Sequence, residues 1–216
     1  MSRYGIIVNV DRCAGCFACA VACKEENQVA PGIFWEKIKR DENVRDNVIN
    51  WFRMSCMHCD DPACMKVCPM KAIHKGPHGE VLVDQQKCIG CKMCANACPY
   101  DVPVFNTEGR TSYFGDKQPL VVRPAKPHTE RTPGKAEHCT LCVHRTERGL
   151  LPACVEACGI HAMTLVDYDN PTPETAKLIE AARPMNEAAG THPKIRYIAR
   201  HMDGREDGGE ARLAAG

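Results

Sequence analysis

Sixteen cysteines dominate the chemistry this chain can do, and their spacing sorts them into four groups of four. Cys13, Cys16, Cys19 and Cys23 follow C-x2-C-x2-C-x3-C, and Cys88, Cys91, Cys94 and Cys98 repeat that spacing ahead of Pro99. Cys56, Cys59, Cys64 and Cys68 run C-x2-C-x4-C-x3-C ahead of Pro69, and Cys139, Cys142, Cys154 and Cys158 run C-x2-C-x11-C-x3-C. No cysteine is left over. Soft thiolate is the ligand that suits iron in sulfide clusters. A C-x2-C-x2-C loop can wrap three thiolates around three corners of one cube. The fourth cysteine, three residues on, is expected at the start of a short helix that points away, where it serves the other cluster of a pair.

Two other chemistries compete for the same residues. Disulfides would use an even count, but repeated C-x2-C spacing is poor disulfide geometry and the chain exceeds the usual disulfide miniprotein. Structural zinc also uses C-x2-C pairs, yet wants pairs of pairs separated by a longer spacer rather than a triplet followed by C-x3-C-P. His58 lies inside Cys56-Met57-His58-Cys59, where two cysteines already fill the loop's role. His74, His78, His138, His144 and His161 are scattered and read as surface residues. Lys24, Lys66, Lys71, Lys87 and Lys92 lie near cluster cysteines in sequence, where cations would favour the reduced form of a negatively charged cluster. No GxGxxG, P-loop or Ser/His/Asp arrangement is present, so the chain is expected to do no bond-making chemistry itself.

The composition agrees with an interior filled by something other than hydrocarbon. Only 40 of 216 residues are Leu, Ile, Val or Phe, a poverty that usually marks disorder when net charge is high. Here 28 basic and 27 acidic residues leave a net charge of +1, and inorganic clusters would cross-link distant segments instead. Near-neutral charge without a long basic run argues against a nucleic-acid partner. No run of about 18 apolar residues is present, so no membrane span of its own is expected. The opening residues carry no apolar h-region, so no signal peptide is expected.

The elements that must position the cysteines are short. Gly5–Val10 and Met163–Val166 read as strands, Gly32–Arg40 and Val48–Met54 as a hairpin rich in Ile, Val, Phe and Trp, and Glu80–Asp84 as a strand after the turn signals at 76–79. Trp35 and Trp51 read as packing against cluster edges. Pro173–Ala182 reads as a helix opened by proline, and Thr191–Ile198 as one last strand. The fold class is α+β: two bacterial-ferredoxin-like, two-cluster modules with short strands, short helices and long loops. Residues 1–50 supply the first half of one module, with the hairpin; 51–102 form the second module; 103–137 are a Pro/Gly-rich surface loop; 138–198 complete the first module; 199–216 are a disordered tail.

The strings CMHCDDPACMKVCPMKAIHK, CIGCKMCANACPYDVPVFN and CTLCVHRTERGLLPACVEAC resemble the four-cluster electron-transfer (beta) subunits of the dimethyl-sulfoxide reductase family. Members include the beta subunits of polysulfide, thiosulfate, tetrathionate and arsenate reductases. The resemblance runs over about residues 4–166 and includes all sixteen cysteines. It implies four 4Fe–4S clusters with crossed ligation. One takes Cys13, Cys16, Cys19 and Cys158; its neighbour takes Cys23, Cys139, Cys142 and Cys154. A third takes Cys56, Cys59, Cys64 and Cys98; the fourth takes Cys68, Cys88, Cys91 and Cys94.

It also implies a separate molybdopterin-containing catalytic subunit (molybdenum or tungsten bis-pyranopterin) and, in many members, a membrane anchor subunit that exchanges electrons with quinol. The alternative is a free-standing polyferredoxin shuttling between soluble partners. Many relatives carry proline where this chain has Gly159, which reads as a neutral turn substitution; the alternative is that its N–H donates to Cys158 sulfur. Assembly is expected in the cytoplasm. The final site is either there or on the periplasmic face, reached by co-export with a signal-bearing catalytic subunit.

Overall fold

The computed structural model describes residues 2–43, 48–109, 113 and 130–200. In chain order the strands are β1 (Tyr4–Asn9), β2 (Lys37–Asn43), β3 (Val48–Met54), β4 (Ile73–Lys75), β5 (Val81–Val83), β6 (Val104–Phe105), β7 (Ala136–Glu137), β8 (Met163–Asp167), β9 (Arg183–Pro184) and β10 (Ile195–Ile198). The helices are α1 (Ala18–Glu26), α2 (Ala63–Lys66), α3 (Met93–Ala97), α4 (Val143–Thr146), α5 (Ala153–Glu156) and α6 (Pro173–Ala181). The class is α+β.

The largest sheet among the described residues has the order β8-β1-β10-β9, with β1 parallel to β10 and antiparallel to β8. Its central strand carries Ile6, Ile7 and Val8 in succession, all buried. An uninterrupted apolar run is what a strand covered on both faces requires. On one face Ile6, Val8, Met163, Ile195 and Tyr197 pack against Cys19, Cys154 and Cys158. On the other, Ile7 and Val166 pack under α6 through Leu178 and Ile179. Helix α6 starts where the sequence says: Pro173 opens it, and Thr172 Oγ1 accepts a hydrogen bond from Thr175 N–H at 3.3 Å, which satisfies one otherwise unpaired donor of the first turn.

Among the described residues, three two-stranded ribbons accompany this sheet: β2–β3, β4–β5 and β6–β7. The second hairpin strand, Val48–Met54, has the expected bounds, but the first begins at Lys37 rather than Gly32. Pro31 and Gly32 form a turn, with Gly32 at φ +78, which delays the extended segment. The last strand shortens to Ile195–Ile198 because His192 takes φ +50 and Pro193 has no N–H to offer a ladder. The expected loop 103–137 is pinned at both ends, since Val104 pairs with Glu137 and Phe105 with Ala136. Residues 110–112 and 114–129 of that loop, and 201–216 of the expected tail, lie outside the described residues.

Candidate metal centres

All four cysteine groups open on the same backbone device. The residue two positions after the first cysteine has positive φ in each: Gly15 (+65), His58 (+45), Gly90 (+72) and Leu141 (+54). Two of these are not glycine and hold a conformation that costs of order 1–3 kcal/mol for an ordinary side chain. The turn aims backbone N–H groups at sulfur: His58 N donates to Cys56 Sγ at 3.5 Å and Leu141 N to Cys139 Sγ at 3.3 Å. A second device follows the last cysteine of two groups. Ala72 N donates to Cys68 Sγ and Ala162 N to Cys158 Sγ, each at 3.3 Å. Ala162 is thus the donor the structure gives Cys158, in place of the Gly159 alternative.

In the last three groups the short helix holds the third cysteine and ends short of the fourth rather than following it, and in the first group α1 holds both and runs on to Glu26. Cys23 is inside α1, Cys98 caps α3, and Cys68 and Cys158 follow α2 and α5 by two residues. C-x3-C is an i, i+4 spacing, one helical turn. Helix α1 packs with α5, and α2 with α3, so the first group meets the fourth and the second meets the third.

Those meetings enclose hollows walled by cysteines from two groups. Cys13, Cys16, Cys19 and Cys158 line one. Cys23, Cys139, Cys142 and Cys154 line another, with Trp35 and Glu36 in its wall. Cys68, Cys88, Cys91 and Cys94 line a third. The remaining four are also neighbours: burial first, then Cys56, Cys98 and Cys59, push the Cys64 thiol up to about 12. Thiols ranged around a space fit a bulky inorganic core. A zinc ion would draw four sulfurs to one point, each at about 2.3 Å. All sixteen cysteines are free of disulfides.

Burial raises the thiols of Cys56, Cys59, Cys94 and Cys142 to about 11, and those of Cys23 and Cys154 higher. Such a pocket holds thiolates only when a cationic metal core replaces their protons. Two of the three hollows reach the surface and one is interior. Cys16 and Cys91 are exposed, whereas Cys23, Cys139, Cys142 and Cys154 are all buried. Exposed Phe17 and Ile160 line the Cys16 hollow, and exposed Met70 and Ile89 the Cys91 hollow.

The other sequence candidates separate clearly. Trp51 packs on Gly15 in the first loop, and Trp35 is buried with Nε1 donating to Glu137 Oε2 at 3.1 Å. His58 accepts from Val81 N–H at Nδ1 (3.0 Å), and burial drives its pKa well down, so it is a neutral structural acceptor. His138, read as a surface residue, is buried with Nδ1 donating to Cys139 O at 2.8 Å, and His144 is half-buried against Glu26. Lys24 ties α1 to the carbonyls of Ala30 and Ile33; Lys66 and Lys87 pair with Asp61 and Asp84; of the five lysines only Lys92 lines a cysteine hollow.

The cations buried deepest are ones the sequence did not single out. Arg53 and Lys194 are 1% and 2% exposed, and Lys75 donates to the carbonyls of Cys59 and Gly79. A charge inside a mostly apolar strand, as in Val48–Met54, is the available signal for Arg53.

A family described as "4Fe-4S dicluster domain" matches residues 48–113 and 123–168. The arsenate respiratory reductase iron–sulfur subunit of Shewanella sp. (strain ANA-3) is 36% identical, over 91% of this chain and 96% of its own. The B subunit of tetrathionate reductase from Salmonella typhimurium is 34% identical, over 91% of this chain and 72% of its own. The B component of anaerobic dimethyl sulfoxide reductase from Escherichia coli is 32% identical, over 90% of this chain and 87% of its own.

Proposed function

This protein belongs to the 4Fe–4S dicluster family of reductase iron–sulfur subunits, and on that premise we propose that it relays electrons between a molybdopterin catalytic subunit and a second redox partner. Four 4Fe–4S clusters are its cofactors. When bound, each accepts and returns one electron. The proposed ligand sets are Cys13/Cys16/Cys19/Cys158, Cys23/Cys139/Cys142/Cys154, Cys56/Cys59/Cys64/Cys98 and Cys68/Cys88/Cys91/Cys94. The observation that carries this reading is the crossed walling of three hollows, each by four cysteines drawn from two groups. The sets divide into the two modules expected from the spacing, one closed by the chain's two ends and one by residues 56–98.

The chain's own contribution is insulation, position and tuning. The positive-φ turns aim N–H groups at sulfur and stabilise negative charge there. Burial keeps water from the inner sets. The exposed Cys16 and Cys91 hollows, each rimmed by apolar side chains, would serve as the two ends of the path. The second partner is a quinone-reactive membrane subunit or a soluble carrier, and the side of the membrane follows the catalytic subunit with which the chain is exported or retained.

Anaerobic purification of the native complex tests this. About sixteen iron and as many sulfides per chain are expected, together with a co-purifying pterin-containing subunit. A monomeric native chain exchanging electrons freely with several soluble partners would replace this reading with a polyferredoxin shuttle. Zinc in place of iron would end both.

A further inference from the structure

One charged pair is buried where the cysteine sets meet. Arg53 and Glu36 are each 1% exposed, and Arg53 Nη2 donates to Glu36 Oε2 at 2.8 Å. The same Nη2 lies 3.5 Å from Cys154 Sγ, and Nη1 donates to Ser55 Oγ at 2.6 Å. Arg53 Nε and Glu36 Oε1 have no hydrogen-bond partner although both are buried. The two residues face different hollows. Arg53 lines the one walled by Cys13, Cys16, Cys19 and Cys158; Glu36 lines the one walled by Cys23, Cys139, Cys142 and Cys154.

Stability is a weak reason to keep such a pair. Desolvating two charges offsets most of their attraction, and well-packed apolar side chains of similar volume are often as good or better. An unpaired donor and an unpaired acceptor make the balance worse. Placement is the better reason. A guanidinium is effectively always protonated, so Arg53, held on Glu36 at 2.8 Å, is a fixed charge here. In a site of low effective dielectric a fixed charge acts strongly on its neighbours and is little screened.

We propose that Arg53 and Glu36 are positioning residues that set the reduction potentials of the two adjoining clusters, Arg53 raising them by charge and by donating to Cys154 sulfur, Glu36 holding Arg53 in place and moderating it. The inference rests on the ligand sets proposed above. The pair sits between two sets that exchange electrons directly, so it fixes the step between them. The set at Cys68, Cys88, Cys91 and Cys94 lies in the other half of the chain, and neither residue lines its hollow.

The test is a potentiometric titration of the intact complex, with the clusters followed by electron paramagnetic resonance. Glu36→Gln keeps an acceptor for Arg53 and removes the negative charge. It should raise the midpoints of the two adjoining clusters at least tenfold in reduced-to-oxidised ratio, which is 59 mV for a one-electron couple. The Cys68/Cys88/Cys91/Cys94 cluster should stay put. Arg53→Lys keeps the charge and gives up the fork that reaches both Glu36 and Cys154, so it should lower the Cys154 cluster alone.

Unchanged midpoints in Glu36→Gln, or an equal shift of all four clusters, would overturn the proposal. Should Arg53→Lys fail to load iron, Glu36→Gln decides alone. Cys154→Ser separates the two layers: it must alter one signal, and that signal must be one that Glu36→Gln shifts. If Cys154→Ser alters no single signal, the ligand sets fail and this inference with them. If it does and Glu36→Gln leaves that signal in place, only the role of the pair fails.

Discussion

Gly15→Ala should unseat the first cysteine loop, and its cost can be worked out in two parts. Gly15 sits between Cys13 and Cys16 at φ +65. Left-handed backbone costs a residue with a Cβ about 1–2 kcal/mol. A Cβ there would also stand 2.7 Å from Cε2 and 2.8 Å from Cε3 of Trp51, too close for carbon, and the ring also carries the Arg40 guanidinium at 5.9 Å. Overpacking of this kind costs about 1–3 kcal/mol.

The two parts sum to about 2–5 kcal/mol, a large fraction of a domain's net stability. Anaerobic equilibrium unfolding, followed by bleaching of the cluster absorbance and by far-ultraviolet dichroism, measures it. In a Trp51→Ala background the second part should vanish, leaving about 1–2 kcal/mol, so the double-mutant cycle should show a coupling of about 1–3 kcal/mol. Gly15→Ala protein with wild-type stability and full iron would refute the reasoning. An equal loss with and without the Trp51 ring would refute its steric half.

Other sites give simpler expectations. His58→Phe removes the acceptor for Val81 N–H inside the protein and should cost about 1–3 kcal/mol; unfolding as stable as the parent would contradict the structural role given to His58. Tyr197 is fully buried and its hydroxyl donates to Arg53 O at 2.9 Å, so Tyr197→Phe should lose about 1 kcal/mol, read from the same transition. Lys194 has its pKa lowered from 10.5 to about 8, by burial first and then by Lys75, against the pull of Asp60 and Glu80. The unfolded chain therefore holds more protons between those two values, and stability should rise with pH across that window. Lys194→Met should flatten that rise; an unchanged pH profile would show that Lys194 is not its source.

Cysteine spacing, the apolar first strand (Tyr4–Asn9, one residue earlier than the expected Gly5–Val10 because Val10 opens a 3-10 turn), the hairpin strand Val48–Met54 and the capped helix at Pro173 are all legible in the sequence, because each is carried by neighbours in the chain. What escapes is whatever depends on distant partners. Helices α2, α4 and α5 have four residues each, barely one turn, and no periodicity can show in so few. Arg53 and Glu36 belong to the hairpin region, where charged residues read as solvent-facing. They are buried because residues 139–158 close over them from the far end of the chain. His138 and His144 read as surface residues for the same reason. One is buried beside Cys139, and the other reaches Glu26, 118 positions away. The pairing of the second group with the third, and of the first with the fourth, is read from their layout along the chain; which four cysteines share a cluster follows from resemblance.

The sheet order β8-β1-β10-β9 imposes a timetable on synthesis. Strand β1 leaves the ribosome first, yet both its neighbours belong to the last third of the chain, and the cysteines that face Cys13, Cys16, Cys19 and Cys23 arrive only at 139–158. The 56–98 half has all eight of its cysteines in one continuous stretch, with only wall residues such as Phe105 and Ala136 still to come, so its thiols can gather while translation continues, as chains generally fold in the order they emerge. The earliest thiols are thus the last to find their neighbours. Ile6, Ile7 and Val8 wait beside them with nothing to cover either face, and this amino-terminal stretch is where oxygen or a misplaced metal has longest to intervene.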